Sequence, residues 1–244
     1  MAGIIVVTGG SRGIGAACAM SAAREGYDVA INYERAKDRA EQIVGAVRKL
    51  GRRAIAVQGD MSKEADVLRL FAETDSALGR VTALVNNAGI VASIGRLETL
   101  TAADIQRSFD VNSVGALLVA REAVKRMAKR FGGAGGAIVG IASAATTLGS
   151  PNEFVHYAAS KAAMDALTYG LSKEMALEGV RVNAVSPGYI ETEIQYQGRA
   201  AKIVPAIPVQ RAGTAEEVAD AVMYLLSNKA SYITGQVLRV SGGR

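Results

Sequence analysis

The 244-residue sequence predicts an α/β fold, a doubly wound parallel sheet of seven strands with helices on both faces. Three observations predict it. Short runs of continuous Val, Ile, Leu and Ala character recur along the chain, stretches of helical periodicity separate them, and a glycine-rich turn follows the first run directly. Strands covered on both faces read as unbroken apolar runs, the pattern of a parallel sheet.

The strand-like runs fall at residues 4–8, 29–33, 54–58, 83–86, 137–141, 181–185 and 237–240. Between the first two, the glycine-rich turn opens a helix through residues 16–24. Residues 36–50 carry Ile43, Val44, Val47 and Leu50 at helical spacing, and residues 65–78 carry Val67, Leu68 and Phe71 in the same way. Long helical stretches are expected near 102–130 and 158–178, with Gly132 to Gly136 as the turn into the fifth strand. Such a βαβ series implies right-handed crossovers and a ligand at the carboxyl ends of the strands.

Half of the residues are hydrophobic and the length suits one α/β domain, so a single domain over residues 1–244 is expected. Residues 1–7 hold an apolar run of only four, Ile4 to Val7, which fits a buried first strand better than a signal peptide. No stretch reaches the roughly 18 apolar residues of a membrane span, and the expected location is the cytoplasm, with no membrane partner. The single cysteine, Cys18, excludes an internal disulfide and reads as a packing residue on an alanine-rich helix. A lone histidine, His156, leaves no histidine cluster for a metal. The formal charge of +5 is spread along the chain without a basic tail, which argues against a nucleic-acid partner.

Two motifs carry chemistry. Thr8-Gly9-Gly10-Ser11-Arg12-Gly13-Ile14-Gly15 joins the first strand to the first helix. Glycines let the backbone turn tightly and approach a pyrophosphate, and the helix amino terminus offers unpaired N–H groups at the positive end of its dipole. In Tyr157-Ala-Ala-Ser-Lys161 the phenol and the ammonium stand four residues apart on one helix face. A free tyrosine keeps its proton to a pKa of about 10, and a neighbouring positive charge is expected to lower that value toward working pH, as general acid-base catalysis requires.

With its Thr-Gly-x-x-x-Gly-x-Gly loop, Asp60 after the third strand, Asn86-Asn87-Ala88-Gly89 after the fourth, Asn112 in a following helix, the Ser143, Tyr157 and Lys161 set, and Pro187-Gly188 before Thr192, the sequence resembles the short-chain dehydrogenase/reductase family along essentially its whole length. The resemblance implies a Rossmann-like fold and a nicotinamide cofactor. Gly9, Ser11, Arg12, Gly13, Ile14 and Gly15 would cradle the pyrophosphate, Tyr33 and Arg35 would meet the adenosine ribose, and Asp60 and Met61 the adenine. Asn87, Ala88 and Gly89 would line the adenosine side, and Pro187, Gly188, Ile190 and Thr192 would hold the nicotinamide end together with Tyr157 and Lys161. The same likeness implies that Tyr157 exchanges a proton with the substrate oxygen, Lys161 tunes it and bonds the nicotinamide ribose, Ser143 holds the carbonyl, and Asn112 anchors a water behind Lys161. Departures are the Val139-Gly140-Ile141-Ala142-Ser143 strand, a serine-to-tyrosine interval longer by one residue, and Val240-Ser241-Gly242-Gly243 in place of a terminal Asp.

Tyr33 stands where NAD-preferring relatives carry an acid, and Arg12 and Arg35 offer charge to a 2′-phosphate, so NADP(H) is favoured, with NAD(H) kept open by Glu34. Substrate contacts are expected from residues 91–97, 144–154 and 189–211, the last a partly apolar lid containing Ile190, Ile194, Tyr196, Ile203 and Ile207 with Glu191, Glu193, Gln195 and Arg199. The expected reaction is hydride transfer between NADP(H) and a ketone or secondary alcohol. Two alternatives are a 3-oxoacyl-carrier-protein reductase, which Glu178 opposes by its charge, and a nucleotide-binding sensor or scaffold without turnover. Family members commonly form homotetramers, and the same is expected of this chain, through the two long helical stretches and the last strand.

Overall fold

The structure, a computed structural model, describes residues 3–193, 196 and 198–244, so Met1 and the lid residues Ile194 and Gln195 lie outside the described residues. Strands β1 (Ile4–Val7), β2 (Asp28–Tyr33), β3 (Ala54–Gln58), β4 (Ala83–Asn86), β5 (Gly136–Ile141), β6 (Val180–Pro187) and β7 (Val237–Val240) form one parallel sheet in the order β3-β2-β1-β4-β5-β6-β7. The helices are α1 (Gly13–Arg24), α2 (Lys37–Lys49), α3 (Glu64–Ala77), α4 (Ala102–Phe109), α5 (Ala116–Met127), α6 (Ala145–Leu148), α7 (Val155–Met175), α8 (Arg199–Ile203) and α9 (Ala215–Leu226).

Successive strand residues point to opposite faces, so β1 feeds two cores. Ile5 and Val7 pack with Cys18 and Ala22 of α1, Val44 and Val47 of α2 and Val218 and Val222 of α9. Val6 packs on the other face with Leu70 and Phe71 of α3, Val119, Ala123 and Met127 of α5 and Met175 of α7. In α3 the buried set is Val67, Leu70, Phe71 and Thr74. Leu68, grouped with them by sequence, is exposed because it lies one residue, about 100°, round the helix from Val67. Leu50, just beyond the end of α2, is exposed as well.

The long helical stretch expected near 102–130 is interrupted. A Thr101 and Asp104 capping box starts α4, and residues Asp110–Gly115 form a π-helical turn before α5. Gly115 is needed there, since a Cβ would stand 2.6 Å from the Met61 carbonyl oxygen. At the centre of the sheet the chain leaves β1 toward β2 on one side and returns through β4 on the other, so a crevice opens beyond the carboxyl ends of β1 and β4.

Candidate active site

The floor of the crevice is a network of short polar bonds at strand ends. Thr8 Oγ1 accepts from the backbone N–H groups of Asn87 and Ala88, both at 2.9 Å, and Asn87 Nδ2 donates to the Thr8 carbonyl at 2.8 Å. Asn32 Oδ1 accepts from Gly9 N at 3.2 Å, while its Nδ2 donates to the Gly59 carbonyl at 2.9 Å. Neither Thr8 nor Asn32 was assigned a role by sequence; the available signal was a polar residue at the end of an otherwise apolar strand.

Above this floor the glycine loop fits a pyrophosphate. Gly9 and Gly13 adopt left-handed conformations, φ 62° and 52°. A Cβ on Gly15 would stand 2.3 Å from the Gly9 carbonyl oxygen and 2.6 Å from Asn87 Nδ2. The first turn of α1 has neither a side-chain cap nor an acidic residue. Glycines where the backbone closes tightly and an uncapped helix amino terminus are the donor set a phosphate needs. The segment after β6 reaches over the loop, because a Cβ on Gly13 would lie 3.4 Å from Thr192 Cγ2. That segment is anchored by buried Ile190, bridged to Gly213, and by Gly188 packed against Ser241.

At the rim beside the ends of β2 and β3, where the resemblance puts adenosine, Tyr33 and Met61 are buried. Asp60 accepts from Arg107 at 3.0 Å and from Ser62, and these bonds outweigh its burial and hold the carboxyl below the usual range. Glu34 pairs with Arg107 at 3.5 Å. Arg35 is not brought to Arg12: it extends into solvent and, among the described residues, pairs with Glu34 at 3.5 Å. The guanidinium that joins Arg12 is Arg39, from the first turn of α2, and both pair with Glu193 of the lid segment, Arg12 at 3.5 Å. Sequence reading passed over Arg39 because an exposed arginine on a helix carries no local signal.

The four candidate catalytic residues come from β5, the π-helical turn and α7. Ser143 follows β5 and accepts from Ala145 N at 3.1 Å, and its hydroxyl lies close enough to Tyr157 to favour the phenolate. The longer interval between them is absorbed by α6 and by left-handed Gly149, Ser150 and Asn152. Lys161 is buried, and its ammonium donates to the Ile141 carbonyl at 2.7 Å. Asn112 is buried in the π-helical turn, where Oδ1 accepts from Ile90 N at 2.8 Å and Nδ2 donates to the Ile90 carbonyl and to Ser160 Oγ, both at 2.9 Å. A Cβ on Gly89 would stand 3.0 Å from Lys161 Nζ and 3.1 Å from Asn112 Oδ1, so the loop after β4, Asn112 and Lys161 converge.

The electrostatics correct one expectation. Burial raises the Tyr157 phenol above its ordinary value; the bond from Ser143 and the charge of Arg199 pull it back only in part. Burial pushes Lys161 down to about 8, against the opposing charge of Asp165. Desolvation penalises both charged forms and wins over proximity. His156 is buried and touched by the charge of Asp104 on α4, and burial lowers its pKa. The buried Cys18 thiol is pushed up to about 12, as a packing residue should be.

A seven-stranded Rossmann-like sheet with this loop at its switch point and a Tyr and Lys pair on the helix after β5 defines a class of oxidoreductase: the chain belongs to the short-chain dehydrogenase/reductase family. Residues 9–244 match the family described as "Enoyl-(Acyl carrier protein) reductase". Among curated relatives, the chain is 48% identical over 245 residues to the uncharacterized oxidoreductase YgfF of Escherichia coli K12, covering 99% of each chain. It is 34% identical over 241 residues to the 3-oxoacyl-[acyl-carrier-protein] reductase FabG of Staphylococcus epidermidis RP62A, covering 98% of this chain and 97% of that one. Among solved structures, a short-chain dehydrogenase from Burkholderia cenocepacia J2315 in complex with NADP superposes with a TM-score of 0.93 at 36% identity, covering 98% of this chain and 96% of that one.

Proposed function

We propose that this single-domain cytoplasmic enzyme transfers hydride between NADP(H) and a ketone or secondary alcohol, with Tyr157, Lys161, Ser143 and Asn112 as its chemical machinery. The observation that carries the reading is a buried Lys161, four residues from Tyr157 on one helix, converging with Asn112 on Gly89 of the loop that packs against the glycine turn. Bound in that cradle, reduced nicotinamide supplies the hydride. Tyr157, a phenol that holds its proton at neutral pH, donates it to the carbonyl oxygen as negative charge develops there. Ser143 Oγ holds that oxygen in place. Lys161 stands ready to bond the nicotinamide ribose, and Asn112 fixes the Ile90 backbone beside it.

NADP over NAD is supported by the two guanidinium groups of Arg12 and Arg39 at the adenosine rim and by the NADP bound to the Burkholderia relative. Exposed Val114, Leu117 and Tyr169 on and beside α5 and α7, and Tyr232 and Leu238 near β7, support a homotetramer through those surfaces. A carrier-linked thioester is the rival substrate, favoured by relatives named 3-oxoacyl-carrier-protein reductases. Against it, the basic residues of α5 are committed internally: Arg121 to Glu64, and Lys125 and Arg126 to buried Glu122. Glu178 likewise accepts from Arg130 N at 2.8 Å.

The test is oxidation of NADPH and NADH against diketones, ketoesters, sugars and acyl thioesters, with Tyr157→Phe alongside. Wild-type turnover that falls by about 100-fold or more in the variant, with NADPH still bound, is the expected result. Tight cofactor binding without turnover of any carbonyl, or of the matching alcohols with oxidised cofactor, would refute the oxidoreductase assignment of these residues.

A further inference from the structure

The three segments expected to contact substrate converge on one buried carboxylate that no catalytic step uses. Glu153, four residues before Tyr157, accepts from Tyr196 Oη at 3.0 Å, from Arg199 Nε and Nη2 at 3.3 and 3.2 Å, and from Lys202 Nζ at 3.1 Å. Its own carbonyl accepts from Gly95 N at 2.7 Å, and Arg96 Nη1 donates to Asn152 Oδ1 at 2.7 Å. Residues of the 91–97, 144–154 and 189–211 segments are thus tied together at a single point.

The guanidinium at that point is placed by aromatic rings as well as by charge. Arg199 lies 4.8 Å from the Phe154 ring centroid, 5.6 Å from that of Tyr189 and 5.9 Å from that of Tyr196. The Phe154 ring in turn meets the Tyr157 ring edge-on, with centroids 5.5 Å apart. The Glu153 side chain is 10% exposed and that of Arg199 15%. Burial opposes the Glu153 charge, but the bonds from Lys202 and Tyr196 and the charges of Arg199 and Lys202 hold the carboxyl ionised. The carboxylate is the one point that Tyr196, Arg199 and Lys202 share, so losing its charge loosens all three contacts at once.

We propose that Glu153 is a positioning residue that docks Tyr196, Arg199 and Lys202 onto the foot of the catalytic helix, and that this docking brings the Arg199 charge to bear on Tyr157. The role deepens the proposed function and rests on Tyr157 being the proton-transfer group. With the segment docked, the pocket over Tyr157 has its closed shape and the phenol feels a cation; undocked, it loses both.

The test uses Glu153→Gln, Arg199→Met and Arg199→Lys in the full-length protein. The first readout, chymotryptic cleavage at Tyr196, needs no turnover: Glu153→Gln and Arg199→Met are cleaved several times faster than wild type, and Arg199→Lys less so. With a carbonyl substrate in hand, KM rises by about tenfold or more in the first two variants while the NADPH Kd stays within about twofold. The pH profile of alcohol oxidation separates docking from mere loss of a charge. Deleting the Glu153 charge with Arg199 still in place moves the limb governed by Tyr157 to lower pH, whereas undocking carries Arg199 away and moves it higher. The expected shift in Glu153→Gln is upward, as in Arg199→Met. Wild-type cleavage rates and KM values in both variants, or a downward limb in Glu153→Gln, overturn the proposal. Arg199→Met probes the same contact from the lid side, so the question is decided even where Glu153→Gln folds poorly. Absence of turnover in every protein, wild type included, condemns the oxidoreductase reading instead, and cleavage still decides the docking.

Discussion

Lys161→Met tests the electrostatics of the site without any substrate. In the folded protein burial pushes Lys161 from its ordinary 10.5 to about 8, so the ammonium is disfavoured on folding. At about 1.4 kcal/mol per tenfold change, that depression costs about 3 kcal/mol at pH 7. Between the two pKa values the unfolded chain binds a proton the folded chain has released, so stability rises with pH across that window. The penalty falls to about 1.4 kcal/mol by pH 9.5, a gain of about 2 kcal/mol that a methionine at 161 cannot show. Loss of the bond to the Ile141 carbonyl is a pH-independent offset and cancels in the comparison. Urea unfolding of both proteins at pH 7.0 and 9.5, at one protein concentration, measures the difference. Parallel pH dependences, or a wild type that loses ground to the variant as pH rises, would refute burial as the force acting on Lys161.

The cofactor cleft yields two more expectations. Glu193→Gln releases Arg12 and Arg39 from a competing carboxylate, and NADPH is expected to bind about three- to tenfold tighter with NADH unchanged; equal changes for both cofactors would sink the assignment of those arginines to the 2′-phosphate. Gly15→Ala places a methyl 2.3 Å from the Gly9 carbonyl oxygen, and the NADPH Kd measured by fluorescence is expected to rise at least about tenfold. Binding within twofold of wild type would show that the loop has room the geometry denies it.

The strands were legible because their chemistry is local. An unbroken apolar run such as Val29 to Ile31 has only one comfortable place, a strand covered on both faces, and β2 is buried throughout. The Tyr157 and Lys161 pair was legible for the same reason, as spacing on one helix. What escaped was whatever depends on residues distant in sequence. The π-helical turn that aims Asn112 inward interrupts a stretch whose periodicity reads as continuous helix. That Arg39 and not Arg35 joins Arg12 at Glu193 depends on how α2 leaves β2, and Glu153 acquires its partners from residues 43 to 49 positions away. The sign of the Tyr157 shift was misjudged because sequence shows the neighbouring cation and hides the desolvation that outweighs it.

The contrast between the crevice floor and its rim has a consequence for how such an enzyme changes over evolutionary time. The floor, Thr8, Asn32 and Asn87 bonded across three strands, is part of the scaffold, and altering it would unsettle the sheet itself. The charged groups at the rim, Arg12, Glu34, Arg35, Arg39 and Glu193, are mostly solvated, and substitutions at such positions leave stability nearly unchanged. If these residues discriminate between the two nicotinamide nucleotides, as proposed, a lineage can exchange one for the other in a few steps without passing through a misfolded intermediate.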